Sequence, residues 1–138
     1  MDSPTRHENM KKLVWIFVGM LLMTACQETL EERCAREAKE YSKKNCPAPL
    51  TKYVTIDSMS FDVATHTLTY SYTVNGVIDD TAVINRNNPK EELLRNLKNA
   101  TSMKPYRDAG YNFQYIYYST KQKGTRLYEA TFRQSDYQ

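Results

Sequence analysis

The stretch Thr67–Val74, which reads Thr-Leu-Thr-Tyr-Ser-Tyr-Thr-Val, carries the clearest structural pattern in the sequence. Large apolar and aromatic side chains alternate with small hydroxyl side chains. Successive side chains of an extended chain point to opposite sides, so the two kinds separate onto two faces. The pattern predicts a β-strand with one face in a core and the other open to water.

Residues 52–61, which precede this strand, also repeat with a period of two. Val54 and Ile56 fall on one face, but Phe61 is offset from them by an odd step. An extra residue near Asp57-Ser58 would restore the alternation, since a β-bulge inserts one residue into a strand. We therefore expect a bulged strand here, joined to its neighbour by a turn over residues 62–65.

Asn75-Gly76 directly follows the central strand, and this dipeptide favours a two-residue hairpin. It predicts a return strand over residues 77–84, interrupted at Asp79-Asp80, a pair expected in a solvated turn. Two further strands are predicted near the end of the chain, over residues 111–119 and 125–133, with a turn at residues 121–124.

Two segments have helical spacing instead. Residues 28–44 place Leu30, Cys34, Ala38 and Tyr41 on one stripe among charged residues, which predicts an amphipathic helix. Residues 88–104 begin with Asn-Pro-Lys-Glu, a helix-start signal, and continue with leucines at helical spacing. A further turn is expected at residues 106–109, where Gly110 ends it.

The order of elements is α-ββ(β)-α-ββ, which predicts an α+β two-layer sandwich. An antiparallel sheet of four or five strands would carry two helices on one face. The opposite face is then either a solvated surface or a platform for a ligand. Its candidate ligand-binding residues are Thr69, Ser71, Gln114 and Tyr118. The other residues predicted on it are Thr67, Thr73, Asn112, Ile116, Glu129 and Thr131.

Several short stretches resemble a loose group of small exported bacterial proteins of unknown function. They are Asn45-Cys46-Pro47, Thr55-Ile56-Asp57-Ser58, the stretch from Leu68 to Thr73, and Ala109-Gly110 before a tyrosine-rich segment. The resemblance covers most of the chain after residue 26. It implies export and no particular activity, ligand or catalytic residue.

The N-terminal region resembles a bacterial lipoprotein signal. Lys11-Lys12 precedes an apolar run over residues 13–22, and Met23-Thr24-Ala25-Cys26 is similar to the lipobox that is cut before cysteine. We expect a signal peptide over residues 1–25, a lipidated tether over residues 26–29 and a single domain over residues 30–138. Met10, which directly precedes Lys11-Lys12, is an alternative translation start to Met1. Soluble export and an uncleaved apolar helix are the alternatives.

Lipidation of Cys26 would anchor the protein to a membrane without spanning it. The apolar run is shorter than the roughly 20 residues that a spanning helix needs. By resemblance to enterobacterial lipoproteins, Gln27 after the cysteine favours the outer membrane over retention in the inner membrane. The predicted location is the cell envelope, facing either the periplasm or the outside.

Two cysteines remain after Cys26. If the first helix runs intact to Lys44, it carries Cys34 about 15 Å from its end at 1.5 Å per residue, too far for Cys46 to return within bonding reach. Two free thiols are therefore favoured. A helix that ends early near Tyr41 would allow an internal disulfide, and a bond to a second chain is the third possibility.

Known chemical motifs are absent from the sequence. His66 is expected in a turn as a pH-sensitive surface group, and no serine frame or glycine-rich phosphate loop accompanies it. Two thiols without nearby histidines make no zinc site. The formal net charge is only +3, with basic residues dispersed among acids, so nucleic-acid binding is not expected. No cofactor is predicted.

The leading functional hypothesis is a non-enzymatic, lipid-anchored envelope module that binds a protein, a peptide or a glycan. In the glycan version, Tyr118 and the hydroxyl-bearing face would hold the sugar. One alternative is an inhibitor or immunity-like protein directed against an envelope or host hydrolase. The other is an enzyme of unrecognised type.

Overall fold

The computed structural model describes residues 27–138, and the predicted signal peptide and the lipidation site Cys26 lie outside them. This part of the chain contains five strands: β1 Ala48–Pro49, β2 Val54–Asp62, β3 Thr67–Val74, β4 Asn112–Ser119 and β5 Arg126–Phe132. The helices in this part of the chain are α1 Leu30–Asn45, α2 Thr81–Arg86, α3 Pro89–Asn99, α4 Lys104–Asp108 and α5 Gln134–Tyr137. Single 3₁₀ turns cover Gly76–Ile78 and Thr101–Met103.

The five strands form one open sheet in the order β1-β2-β3-β4-β5. The predicted α+β class is confirmed. The sheet is mixed and not fully antiparallel as expected, because β3 pairs with β4 in parallel while the other pairs are antiparallel. A parallel pair requires a crossover between its strands, and the segment with α2, α3 and α4 supplies it.

The strand predicted over residues 77–84 is wrong. After Gly76, which has a φ of +64°, the chain makes a 3₁₀ turn and then α2. The Asp80 carboxylate accepts hydrogen bonds from the backbone N–H groups of Ala82, at 2.7 Å, and Val83, at 3.2 Å. Such an N-cap satisfies donors that a helix start leaves free, so this segment becomes helical in spite of its β-branched residues.

Helix α1 begins at a capping box formed by Thr29 and Glu32. The N–H of Glu32 donates to Thr29 Oγ1 at 3.1 Å, and the N–H of Thr29 donates to Glu32 Oε2 at 3.3 Å. The helix continues unbroken to Asn45 and buries Cys34 and Ala38 against the sheet. Cys34 and Cys46 form no disulfide with each other, as expected for a helix that runs intact past Lys44.

Strand β2 contains the predicted bulge, since its register with β3 shifts between Ile56 and Ser58. Just beyond the bulge, Ser42 of α1 bridges the outer edge of the strand. Its hydroxyl donates to the Met59 carbonyl at 2.7 Å and accepts from the Met59 N–H at 2.7 Å. Helix α1 thereby satisfies backbone groups that an edge strand would otherwise expose.

The face of the sheet that packs against the helices, the core face, is rich in tyrosine. Tyr70 stacks on Tyr115 with ring centroids 4.9 Å apart, and Tyr72 stacks on Tyr117 at the same distance. Both pairs sit in register across the parallel strands. Phe113, with 0% exposure, lies among them. The helices add Leu97 and other apolar residues to this layer, which is the main core of the domain.

Candidate functional site

The face of the sheet opposite the core, the open face, carries the side chains predicted to bind a ligand. The parallel register places Thr69 beside Gln114 and Thr73 beside Tyr118. Ser71 lies beside Ile116, whose side chain is buried. The polar residues of this face stay partly or fully exposed. Alternation along the strands therefore brings Thr69, Ser71, Gln114 and Tyr118 to one surface.

A hydrogen-bonded row crosses the open face from β3 to β5. Thr69 Oγ1 donates to Gln114 Oε1 at 3.0 Å, and Gln114 Nε2 donates to Glu129 Oε1 at 2.6 Å. The second carboxylate oxygen of Glu129 accepts from Arg126 Nη1 at 2.9 Å, and this bond raises the pKa of the Arg126 guanidinium. The row holds the amide of Gln114 in one orientation.

Tyr118 lies outside this row, further along β4 than Gln114. The Arg126 guanidinium sits 6.0 Å from the centroid of the Tyr118 ring, a separation at the outer limit of a cation–π contact. One side of the ring is therefore already engaged within the protein.

The open face is hollowed at one end into a concavity of about 490 Å³. Its lining combines hydroxyls and amides with two acids and one base: Asp62, Thr65, Thr67, Thr69, Asn112, Gln114, Glu129, Thr131 and Arg133. Of the four predicted ligand residues, Thr69 and Gln114 line the concavity. Ser71 and Tyr118 share the face but are not among the lining residues.

Three lining residues, Asp62, Thr65 and Arg133, were absent from the sequence-based prediction. They sit at or beyond strand ends, where alternation no longer assigns a face. In the structure, the register places Asp62 opposite Thr67 and Thr67 beside Asn112, which brings these strand ends together. To find these three residues from the sequence, one would need the strand order, because the order decides which strand ends lie side by side.

The concavity lies at the end of the sheet where α1 begins. His66, between the lining residues Thr65 and Thr67, places its Nε2 3.1 Å from Glu31 Oε1 in the first turn of α1. Its ring also stacks on Tyr111 with centroids 5.0 Å apart. His66 has a φ of +50°, and its contact with Glu31 joins the turn before β3 to the start of α1.

Asp79 does not lie in a solvated turn as the sequence predicted. Its side chain is buried, and Oδ1 accepts from the Ser119 hydroxyl at 2.5 Å. Oδ2 accepts from the N–H groups of Thr120, at 3.0 Å, and Lys121, at 2.8 Å. The Ser119 bond and then the backbone bonds hold the pKa of Asp79 below its ordinary value. Asp79 thus ties the crossover to the β4–β5 turn and is a structural group.

The described residues offer no ready site for a metal ion. Within residues 27–138, no three His, Cys, Asp or Glu side chains come together in a group that could hold one. Likewise, none of the helices in the described part of the chain is both long and apolar enough to cross a bilayer.

Comparison with known proteins gives a family and a fold. A family model described as "Domain of unknown function (DUF8479)" matches residues 29–128. No curated protein matches the chain. A crystal structure of a candidate secreted protein from Pseudomonas aeruginosa has a TM-score of 0.63 at 10% identity, and the match covers 81% of this chain and 100% of that one. At this identity the likeness concerns the fold alone.

Proposed function

This chain belongs to the DUF8479 family of unknown function, and we propose that it is a lipid-anchored, non-enzymatic envelope protein that binds a glycan on its open face. The concavity beside the ordered Thr69–Gln114–Glu129 row is the observation that carries the proposal. Lipid on Cys26 would anchor the protein, and Gln27 after the cysteine favours the outer membrane.

The chemistry of the lining supports a polyhydroxylated ligand. Threonine hydroxyls both donate and accept hydrogen bonds, and the Asn112 and Gln114 amides do the same through separate atoms. Sugar hydroxyl and acetamido groups need this mixture of donors and acceptors. The two acids and Arg133 lie in the same lining, so no single sign of charge dominates and a ligand of low net charge is favoured.

The position of the concavity supports a ligand near the membrane. Helix α1 starts at Leu30, four residues after Cys26, and the His66–Glu31 contact lies at the same end of the domain as the concavity. A tether of a few residues can span at most about 3.3–3.6 Å each. A lipid on Cys26 would therefore hold this end of the domain close to the bilayer surface.

Isothermal titration of the purified protein with N-acetylated amino-sugar oligosaccharides tests the glycan site. We expect measurable heat, and Gln114→Leu and Thr69→Val should each weaken binding by roughly two- to tenfold, because each removes a hydrogen bond worth about 0.5–1.5 kcal/mol. Ser71→Ala, on the same face but outside the lining, is the matched control. If none of these oligosaccharides gives heat with protein that unfolds cooperatively, glycan binding is refuted.

The anchor needs a separate test. Mass spectrometry of the N-terminal peptide from the native host should find acyl chains on Cys26, and Cys26→Ser should move the protein from the membrane fraction to the soluble fraction. An unacylated Cys26 with the preceding residues still attached would reject the lipoprotein assignment and leave the glycan titration unaffected.

A further inference from the structure

A second hollow, the α3 groove, lies at the opposite end of the sheet from the concavity. It has a volume of about 330 Å³, which falls at the small end of the range for ligand pockets. Strands, helix α3 and the loop after β1 all contribute to it. Its lining residues are Leu50, Thr51, Val54, Tyr72, Pro89, Glu92, Leu93, Asn96 and Tyr117.

The floor of the α3 groove is aromatic. Tyr72 and Tyr117 stack with centroids 4.9 Å apart and their planes 16° from parallel, and the Tyr128 ring meets Tyr117 edge-on at 5.8 Å. Leu50, Val54 and Leu93 add aliphatic walls. An apolar or aromatic group would therefore find matching surface on several sides.

Tyr72 brings an unused polar group to this floor. Its side chain is only 8% exposed, and its hydroxyl has no hydrogen-bond partner among residues 27–138. Every fully buried side-chain nitrogen or oxygen in this part of the chain does have a partner. The Tyr72 hydroxyl therefore still meets solvent through the groove, and a ligand with a donor or acceptor could use it.

The charge of the α3 groove has one sign. Among the described residues that line it, Glu92 alone carries a formal charge. Burial raises the pKa of Tyr117 to about 12, with smaller contributions from Tyr128 and from the negative charge of Glu92. Glu92 thus acts electrostatically on the aromatic floor, and an anionic ligand would be disfavoured.

We infer that the α3 groove binds a small organic cation, a primary amine carried on an aromatic or aliphatic stem. The stem would lie against Tyr117 and Leu93, and the ammonium would pair with Glu92. Asn96 and the Tyr72 hydroxyl supply further polar contacts. This site is separate from the glycan concavity in position and in charge, and neither proposal depends on the other.

The direct test is an NMR titration of the purified protein with phenethylammonium, 2-phenylethanol and phenylacetate, which share a stem and differ in charge. We expect shifts of the Tyr72 and Tyr117 resonances and an affinity order of cation above alcohol above anion. Equal affinity for all three, or no shifts of these resonances at millimolar ligand, would overturn the inference.

Glu92→Gln provides the charge test, and Glu91→Gln is its matched control because Glu91 lines a different hollow on α3. Glu92→Gln should weaken the cation by about two- to fivefold and leave the alcohol unchanged, as expected for an exposed ion pair. Equal losses in both variants would mean that the site depends on overall charge and would reject Glu92 as the partner.

A further variant blocks the groove at an exposed position, and a second variant at a similarly exposed position outside the groove is its control. Leu50, 55% exposed, lines the groove, and Val63, 54% exposed, lies in the β2–β3 turn. Leu50→Lys places a competing cation beside Glu92 and should abolish the preference for the amine. Val63→Lys should bind like the unmodified protein. Retained amine preference in Leu50→Lys would contradict the proposed site.

Discussion

The two faces of the same sheet differ in how their side chains are satisfied. On the core face, the tyrosines of β3 and β4 stack ring on ring and are largely removed from water. On the open face, Thr69, Gln114 and Glu129 form hydrogen bonds with one another and remain partly exposed. Adjacent residues in one strand thus meet opposite environments, because their side chains alternate.

Because of this difference, the core face determines the stability of the fold and the open face is available for binding. Apolar area removed from water stabilises the fold, whereas exposed hydrogen bonds contribute little net energy because water can replace them. The exposed polar residues of the open face can therefore change without loss of the fold, whereas the buried Ile116 cannot. A ligand surface is less constrained there than anywhere on the core face.

The largest predicted effect comes from neighbouring residues on the two faces. Phe113→Ala removes a ring with 0% exposure that meets Tyr137 edge-on at 5.7 Å. It should lower the free energy of unfolding by about 3–5 kcal/mol, whereas Gln114→Ala should stay within about 0.5 kcal/mol. Urea denaturation of both variants measures the difference. Similar losses in the two would break the comparison between the faces.

Ser42→Ala tests the edge of the sheet, where the polar and apolar environments meet. It should cost about 1–3 kcal/mol, because it leaves the N–H and carbonyl of Met59 without their partner in a half-buried place. Ser60→Ala, at an exposed position of the same strand, is the control. An unchanged midpoint of urea denaturation in Ser42→Ala would show that water satisfies this edge.

Asp79→Asn sharpens the comparison because it removes the charge of a buried carboxylate and keeps the size of the side chain. The folded pKa of Asp79 is lowered, so its contribution is present above the ordinary aspartate pKa and is lost as the pH falls through the lowered value. Asp79→Asn should therefore lower the melting temperature at neutral pH, and the deficit should shrink as the pH falls below the ordinary pKa of aspartate.

Asp80→Asn is the matched control for that experiment, since asparagine and aspartate serve almost equally as N-caps. Its melting temperature should follow the unmodified protein at each pH. A deficit for Asp79→Asn that stays constant across the pH range would show that the carboxylate charge is not what anchors the β4–β5 turn.

Local patterns predicted most of the fold. The alternation in Thr67–Val74 and the odd step near Asp57 have short-range physical causes, and the strand and its neighbour's bulge formed as expected. A helix also begins at Pro89 as predicted, but the Asn88 side chain forms no cap hydrogen bond. The open face followed from the same alternation. Short-range rules were sufficient wherever hydrophobic periodicity and turn chemistry agreed.

The misassigned segment shows where such rules end. Asn75-Gly76 suggested a hairpin, but the Asp79 contacts with Ser119 and Lys121 are distant in sequence and favour a helical crossover. Replacing one predicted strand with helices reverses the direction of the next strand, which is why β3 and β4 are parallel. The lining of the concavity comes from the ends of several strands. Its full set of residues could therefore be predicted only with knowledge of the strand order.

Thiol reactivity gives the smallest effect and tests whether the core face is closed. Burial raises the pKa of the Cys34 thiol to about 12, and burial together with the charge of Asp57 raises that of Cys46. Because the thiolate is the reactive form, a disulfide reagent at mildly alkaline pH should label Cys46 slowly and Cys34 far more slowly in folded Cys26→Ser protein. Both should react at once in urea, and a reductant should leave the melting temperature unchanged.

Rapid labelling of Cys34 in the folded protein would mean that water enters between α1 and the sheet. The contrast between a dry core face and a wet open face would then no longer hold.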